Sequence, residues 1–235
     1  MNLTIFANST LYTPMQDGTI IDEKSQSCLT YLQNNYNVNG IWINGLTIFH
    51  ILNMHSNFLV ERFRRNVILL DIGVVEALTH PAANFLHWCC MYLQSQGMTA
   101  EFKTYVLPYM TWASAHLTNK DRINENYYPL LNTNDYGNLL SIFLKLVEGF
   151  SVIVLGMNKP NMSNELLCKE WYTQANIYNE RIKTITMWNS NCVFIDRWNL
   201  LSEYVVDTTH LTPEGHIRLF DIINCELQTI KTKWE

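Results

Sequence analysis

Five short apolar runs, each bounded by Gly, Asn, Asp or Pro, constrain the fold of this chain more than any other feature. They are LTIFA (3–7), GIWI (40–43), NVILLDIG (66–73), SVIVLGM (151–157) and CVFID (192–196). Short, β-branched and apolar runs of this kind fit strands buried on both faces of a parallel sheet. Between them lie stretches with helical spacing, at about 22–36, 48–65, 164–189 and 213–233. The last has the clearest start, with Thr212 as N-cap and Pro213 at the first helical position. Strand and helix alternate, which predicts a three-layer α/β/α sandwich around a parallel five-stranded sheet.

At 235 residues, 48% of them hydrophobic, the chain can bury one large core, and residues 1–235 read as a single domain. Between the third and fourth strands stands an extra piece, 78–147, rich in Trp, Tyr, Leu and Met and mostly helical in pattern, with a polar loop at 118–138. It reads as an insertion, serving either as a lid over the site or as the contact of a homodimer.

The charge balance narrows the partners. A net charge of -5 with no basic run lacks the electrostatic footprint of a nucleic-acid binder. The start, MNLTIFANST, has neither the positive charge nor the apolar length of a secretory signal, and no window reaches the run of about 18 apolar residues that a membrane helix needs. A cytoplasmic protein without a membrane span is therefore expected. The six Cys (28, 89, 90, 168, 192, 225) show no CxxC spacing and read as reduced core residues, the vicinal Cys89 and Cys90 included. His50/His55 and His80/His87 lack the i, i+4 spacing of a helical metal pair, so no metal and no cofactor is expected.

In an open parallel sheet, ligands bind beyond the carboxyl ends of the strands, so the residues just after each strand are the candidates. After the first comes ANST, placing Ser9 at a strand-to-helix turn where backbone N–H groups can face a developing oxyanion. After the second comes NGLT, where Gly45 lets the backbone approach a ligand. After the third comes IGVVEA, and after the fifth, beyond one short helical segment, the loop DTTHLTPEGH carries Asp207 and His210.

In order and spacing these segments resemble the SGNH (GDSL) hydrolase family, over nearly the whole chain apart from 78–147, with the SGNH/flavodoxin-like arrangement of layers. The resemblance implies Ser9 as nucleophile, His210 as base, Asp207 as its orienting carboxylate, and Gly45 as an oxyanion-hole donor. It also exposes departures. The family's Gly-Asp-Ser reads Ala7-Asn8-Ser9, and its Gly-x-Asn-Asp reads Gly73-Val74-Val75-Glu76. The Val75 side chain has no donor, so the oxyanion is left to the backbone N–H groups of Ser9 and Gly45 unless Asn8, Asn44 or a group from the insertion substitutes. Losing one such donor typically lowers the rate by about 10²–10³. Glu76, in place of the family's Asp, either orients substrate or the Ser9 loop or is a solvated strand-end carboxylate. His216, six residues past His210, reads as a supporting or surface residue.

The implied chemistry is O-acyl ester hydrolysis or acyl transfer through an acyl-enzyme on Ser9, with a carbohydrate or small-molecule ester as substrate. Water resolves the intermediate in an esterase, an acceptor hydroxyl in an acyltransferase, and the three residues do not distinguish them. The competing reading is a catalytically degenerate member that keeps the scaffold as a binding or interaction module.

Overall fold

The computed structural model describes residues 1–16, 19–21, 26–42, 46–54, 66–74, 79–80, 128–129, 132–161, 165–206 and 209–234. In chain order the elements are β1 (Asn2–Ala7), α1 (Ser9–Tyr12), β2 (Met15–Gln16), β3 (Thr19–Ile20), α2 (Cys28–Asn35), β4 (Asn37–Trp42), α3 (Ile48–Met54), β5 (Asn66–Asp71) and β6 (Thr79–His80). Then follow β7 (Tyr128–Pro129), α4 (Thr133–Leu146), β8 (Ser151–Leu155), α5 (Glu165–Met187), β9 (Cys192–Ile195), α6 (Arg197–Leu200), a 3-10 turn at Ser202–Tyr204, and α7 (Pro213–Trp234).

All five expected strands form, and they form one sheet in the order β4-β1-β5-β8-β9, every pair parallel. Alternate side chains of each strand point to opposite faces and so feed two cores. Leu3, Ile5, Val67, Leu69, Ile153 and Leu155 pack with Leu29 and Leu32 of α2 and with Leu219, Ile223, Leu227 and Ile230 of α7. Those α7 positions recur at four, four and three residues, one stripe of a helix. Phe6, Ile68, Leu70, Val152 and Val154 face the other way, onto α3, α4 and α5. A sheet covered on both faces is the three-layer α/β/α sandwich expected from the sequence. Gly40 is what lets β4 lie against β1: it sits at φ +135 opposite Ile5, and a Cβ there would fall 1.9 Å from the Ile5 carbonyl oxygen.

Helix α7 starts as its sequence predicts, with Thr212 Oγ1 accepting from Gly215 N–H at 3.0 Å and Pro213 at the first helical position. Within 78–147 the last stretch proves to be core. Helix α4 buries Tyr136, Leu140, Phe143 and Leu144 against the sheet and is the crossover helix between β5 and β8. Upstream, β6 pairs antiparallel with β7, so the chain leaves at Thr79–His80 and returns beside it at Tyr128–Pro129, while 81–127, including the expected lid or dimer surface, lie outside the described residues. Of the cysteines, Cys28 and Cys192 are free and at least partly buried, whereas Cys225 is exposed rather than a core residue, because it falls on the solvent side of α7. Among the described residues no helix is long and apolar enough to cross a membrane.

Candidate active site

Strand β1 ends at Ala7, and the chain turns at once into α1. Asn8 makes that turn: it is the helix N-cap, its Oδ1 accepting from Thr10 N–H at 3.0 Å, and its own N–H donates to the Asp71 carbonyl at 3.2 Å, continuing the β1–β5 pairing by one residue. Ser9 is thus the first residue of α1, at the carboxyl end of a central strand, half-buried and open to the sheet's upper edge. Among the described residues nothing accepts from the Ser9 backbone N–H, so it is available to a ligand.

His210 reaches Ser9 from the other end of the chain. Its Nε2 lies 3.1 Å from Ser9 Oγ, a hydrogen bond spanning 201 positions of sequence. The loop that carries it is tied at several points. Val206 N–H donates to the His210 carbonyl at 2.9 Å, and Thr212 N–H to the Tyr204 carbonyl at 2.8 Å, while Val205 bridges Leu211. From the turn after β8, Asn158 Nδ2 donates to the Thr209 carbonyl at 2.6 Å and Asn161 Nδ2 to the Val205 carbonyl at 3.1 Å. Asn158 is 2% exposed. A loop with this many backbone ties holds the imidazole in one place. The Thr209 hydroxyl lies 3.4 Å from His210 Nδ1.

Asp207, Gly45, Asn44, Val75 and Glu76 lie outside the described residues. Asn8 does not stand free at the mouth of the site: it is 1% exposed, its carbonyl oxygen is spent on the cap, and its Nδ2 has no acceptor among the described residues. An unpartnered buried amide of this kind costs about 1–3 kcal/mol, a charge on folding that a donor beside a nucleophile can justify by serving an anion.

Directly beneath Ser9 is a group that the sequence reading missed. Asp71 and Arg197, both fully buried, form an ion pair with Arg197 Nη2 at 2.5 Å from Asp71 Oδ1. Thr10 Oγ1 lies 2.5 Å from Asp71 Oδ2 and 2.7 Å from Asn8 Oδ1, with one proton for the two acceptors. Arg197 Nε donates to the Gly156 carbonyl, and its Nη1 to Thr10 Oγ1 at 3.5 Å. The available signal was a charge inside an apolar strand run, LLDIG, and an Arg immediately after another, FIDR. Sequence spacing does not reveal that the two meet.

His216 is neither a surface residue nor a neighbour exposed to the site. It is fully buried, and its Nδ1 accepts from Cys28 N–H at 3.2 Å, pinning the first turn of α7 to the start of α2. Burial pushes its pKa down to about 4; the nearby His210 and Arg197 push the same way, and the Thr13 backbone opposes them. The ring is therefore neutral at physiological pH. Burial likewise pushes the Cys28 thiol up, with the Asp71 carboxylate adding to it, so Cys28 is an inert core thiol.

No protein-family model matches the chain, and no curated protein matches its sequence. Solved structures do match in three dimensions. An acetylxylan esterase from Geobacillus stearothermophilus aligns at 14% identity with a TM-score of 0.55, over 96% of this chain and 93% of that one. A lipase/acylhydrolase from Enterococcus faecalis aligns at 11% identity with a TM-score of 0.56, over 99% and 96%. An alpha/beta hydrolase enzyme from the metagenome of Lake Arreo, Spain, aligns at 12% identity with a TM-score of 0.56, over 97% and 94%. At such identities the likeness is one of architecture: the chain shares the α/β fold of these esterases and acylhydrolases.

Proposed function

We propose that the protein is a serine-dependent O-acyl ester hydrolase or acyltransferase, acting on a carbohydrate or small-molecule ester through an acyl-enzyme on Ser9. The observation that carries this reading is the 3.1 Å contact between Ser9 Oγ and His210 Nε2, at the edge of the sheet where α/β folds bind ligands. A serine hydroxyl is a poor nucleophile until a base takes its proton. Here Ser9 Oγ attacks the ester carbonyl as its proton passes to His210 Nε2. The negative charge that develops on the carbonyl oxygen is met by the Ser9 N–H, with Gly45, Asn44 and Asn8 as further donors. Collapse of the tetrahedral species breaks the C–O bond, and the leaving alkoxide takes the proton back from His210. Water, or a second alcohol, then enters by the same route in reverse and frees Ser9. Asp207, three residues before His210, fixes the imidazole tautomer and stabilises the imidazolium. Glu76, five residues after β5 along the chain, is the candidate for orienting the substrate or the Ser9 loop.

A carbohydrate ester is favoured by the acetylxylan esterase among the structural neighbours. The absence of an Asn at Val75 favours the second reading, a scaffold that binds without turnover. Hydrolysis of p-nitrophenyl acetate separates the two. An active wild type, with turnover abolished in Ser9→Ala and reduced by roughly 10⁴-fold in His210→Ala, supports the enzyme. Equal background rates in all three chains support the binding module.

A further inference from the structure

We infer, given the serine-hydrolase reading above, that Asp71 and Arg197 are positioning residues that set the Ser9 turn, acting on it through Thr10 and Asn8. Asp71 holds the residues on both sides of Ser9. Its backbone carbonyl accepts from Asn8 N–H at 3.2 Å, and its Oδ2 lies 2.5 Å from Thr10 Oγ1. Arg197 completes the frame by pairing with Asp71 Oδ1 and by donating to the Gly156 carbonyl at the end of β8. The turn is thereby tied to the ends of β5 and β8 and to the start of α6, three elements that arrive from distant parts of the sequence.

Stability alone gives no reason for this arrangement. Both side chains are fully buried, and the desolvation of two charges in the interior is recovered only with near-ideal geometry and further hydrogen bonds, so well-packed apolar residues of similar volume commonly serve as well or better. What apolar residues cannot supply is direction. The carboxylate and guanidinium fix the rotation of Thr10, and with it the backbone of α1's first turn, to within hydrogen-bonding tolerance. Ser9 sits in that turn, and its Oγ must stay within reach of His210 Nε2 while its N–H faces the reacting carbonyl. Neither Asp71 nor Arg197 touches that position, and a misplacement of about 1 Å there is worth about 10²-fold in rate.

The test compares four chains: wild type, Thr10→Val, Thr10→Ser, and the double variant Asp71→Leu/Arg197→Met, which removes both charges together. Each is assayed for the rate constant of Ser9 labelling by a fluorophosphonate, for kcat and KM with p-nitrophenyl acetate, and for cooperative melting by circular dichroism. The expected result is that Thr10→Val and the double variant melt cooperatively yet lose roughly 10- to 100-fold in labelling rate and kcat with KM little changed. Thr10→Ser, which keeps the hydroxyl, stays within about threefold of wild type. Wild-type labelling rate and kcat in both Thr10→Val and the double variant overturn the positioning role while leaving the hydrolase reading intact. A wild type that takes no label and turns over no ester overturns both. Should the double variant not fold, the Thr10 pair decides by itself.

Discussion

The buried His216 gives the fold a built-in sensitivity to acid, and its size follows from the structure. The ring is 0% exposed and neutral, with Nδ1 committed to Cys28 N–H. Its pKa is about 4 in the folded chain, against about 6.5 for an unperturbed histidine. The folded value is the lower one, so between these limits the unfolded chain binds more protons and stability rises with pH. The contribution is complete above about pH 6.5 and is lost as the pH falls toward 4. Its full worth is roughly 3 kcal/mol at 1.36 kcal/mol per unit, of which about 2 kcal/mol is gone at pH 5. The perturbation that isolates it is His216→Asn, whose Oδ1 can take over the bond to Cys28 N–H but cannot titrate. Urea unfolding of both chains, followed by tryptophan fluorescence at pH 7.5 and pH 5.0, measures the effect. With a slope of about 2–3 kcal/mol per molar urea, the midpoint of the wild type should fall between those pH values by about 0.7–1 M more than that of the variant. Identical pH dependence in the two chains would show that His216 is not neutral and buried in the way described.

Two further substitutions probe the ties around His210. Asn158→Ala removes the buried amide's bond to the Thr209 carbonyl; a loss of about 1 kcal/mol in unfolding free energy and roughly tenfold in kcat is expected, read by urea titration and ester hydrolysis. Asp207→Asn should lower kcat by roughly 10³- to 10⁴-fold while the melting temperature changes little, because it alters the imidazole tautomer rather than the core; an unchanged kcat would remove Asp207 from the mechanism.

Much of this architecture was legible in the residues because local and tertiary preferences agree. The five strand runs are β-branched, apolar and bounded by breakers, and each became a strand of one sheet. Thr212-Pro213 marked the start of α7 for a local reason, a side-chain cap and a fixed φ, and local reasons survive folding. The partnership of Ser9 with His210 was readable only through order along the chain, since 201 positions separate them. The less legible features are those decided by contacts between distant elements. Helix α4 has an apolar stripe at Tyr136, Leu140, Phe143 and Leu144, but it follows an aromatic-rich segment with the same general sequence character, so its packing with Phe6, Ile68 and Val152 had no local signal of its own. His216 lies in the polar first turn of a helix, where exposure is the usual expectation; its burial depends on α2 arriving from 188 positions away. Asp71 and Arg197 likewise read as two unrelated charges until the sheet order places the ends of β5, β8 and β9 side by side.

The most direct test of the central claim is mass spectrometry of the intact protein after exposure to a fluorophosphonate, followed by peptide mapping. The account predicts a single adduct per chain, located on Ser9 and absent from Ser9→Ala, with labelling sharply slowed in His210→Ala. A stable, folded protein that gains no mass, or an adduct on another residue with Ser9 left free, would contradict it.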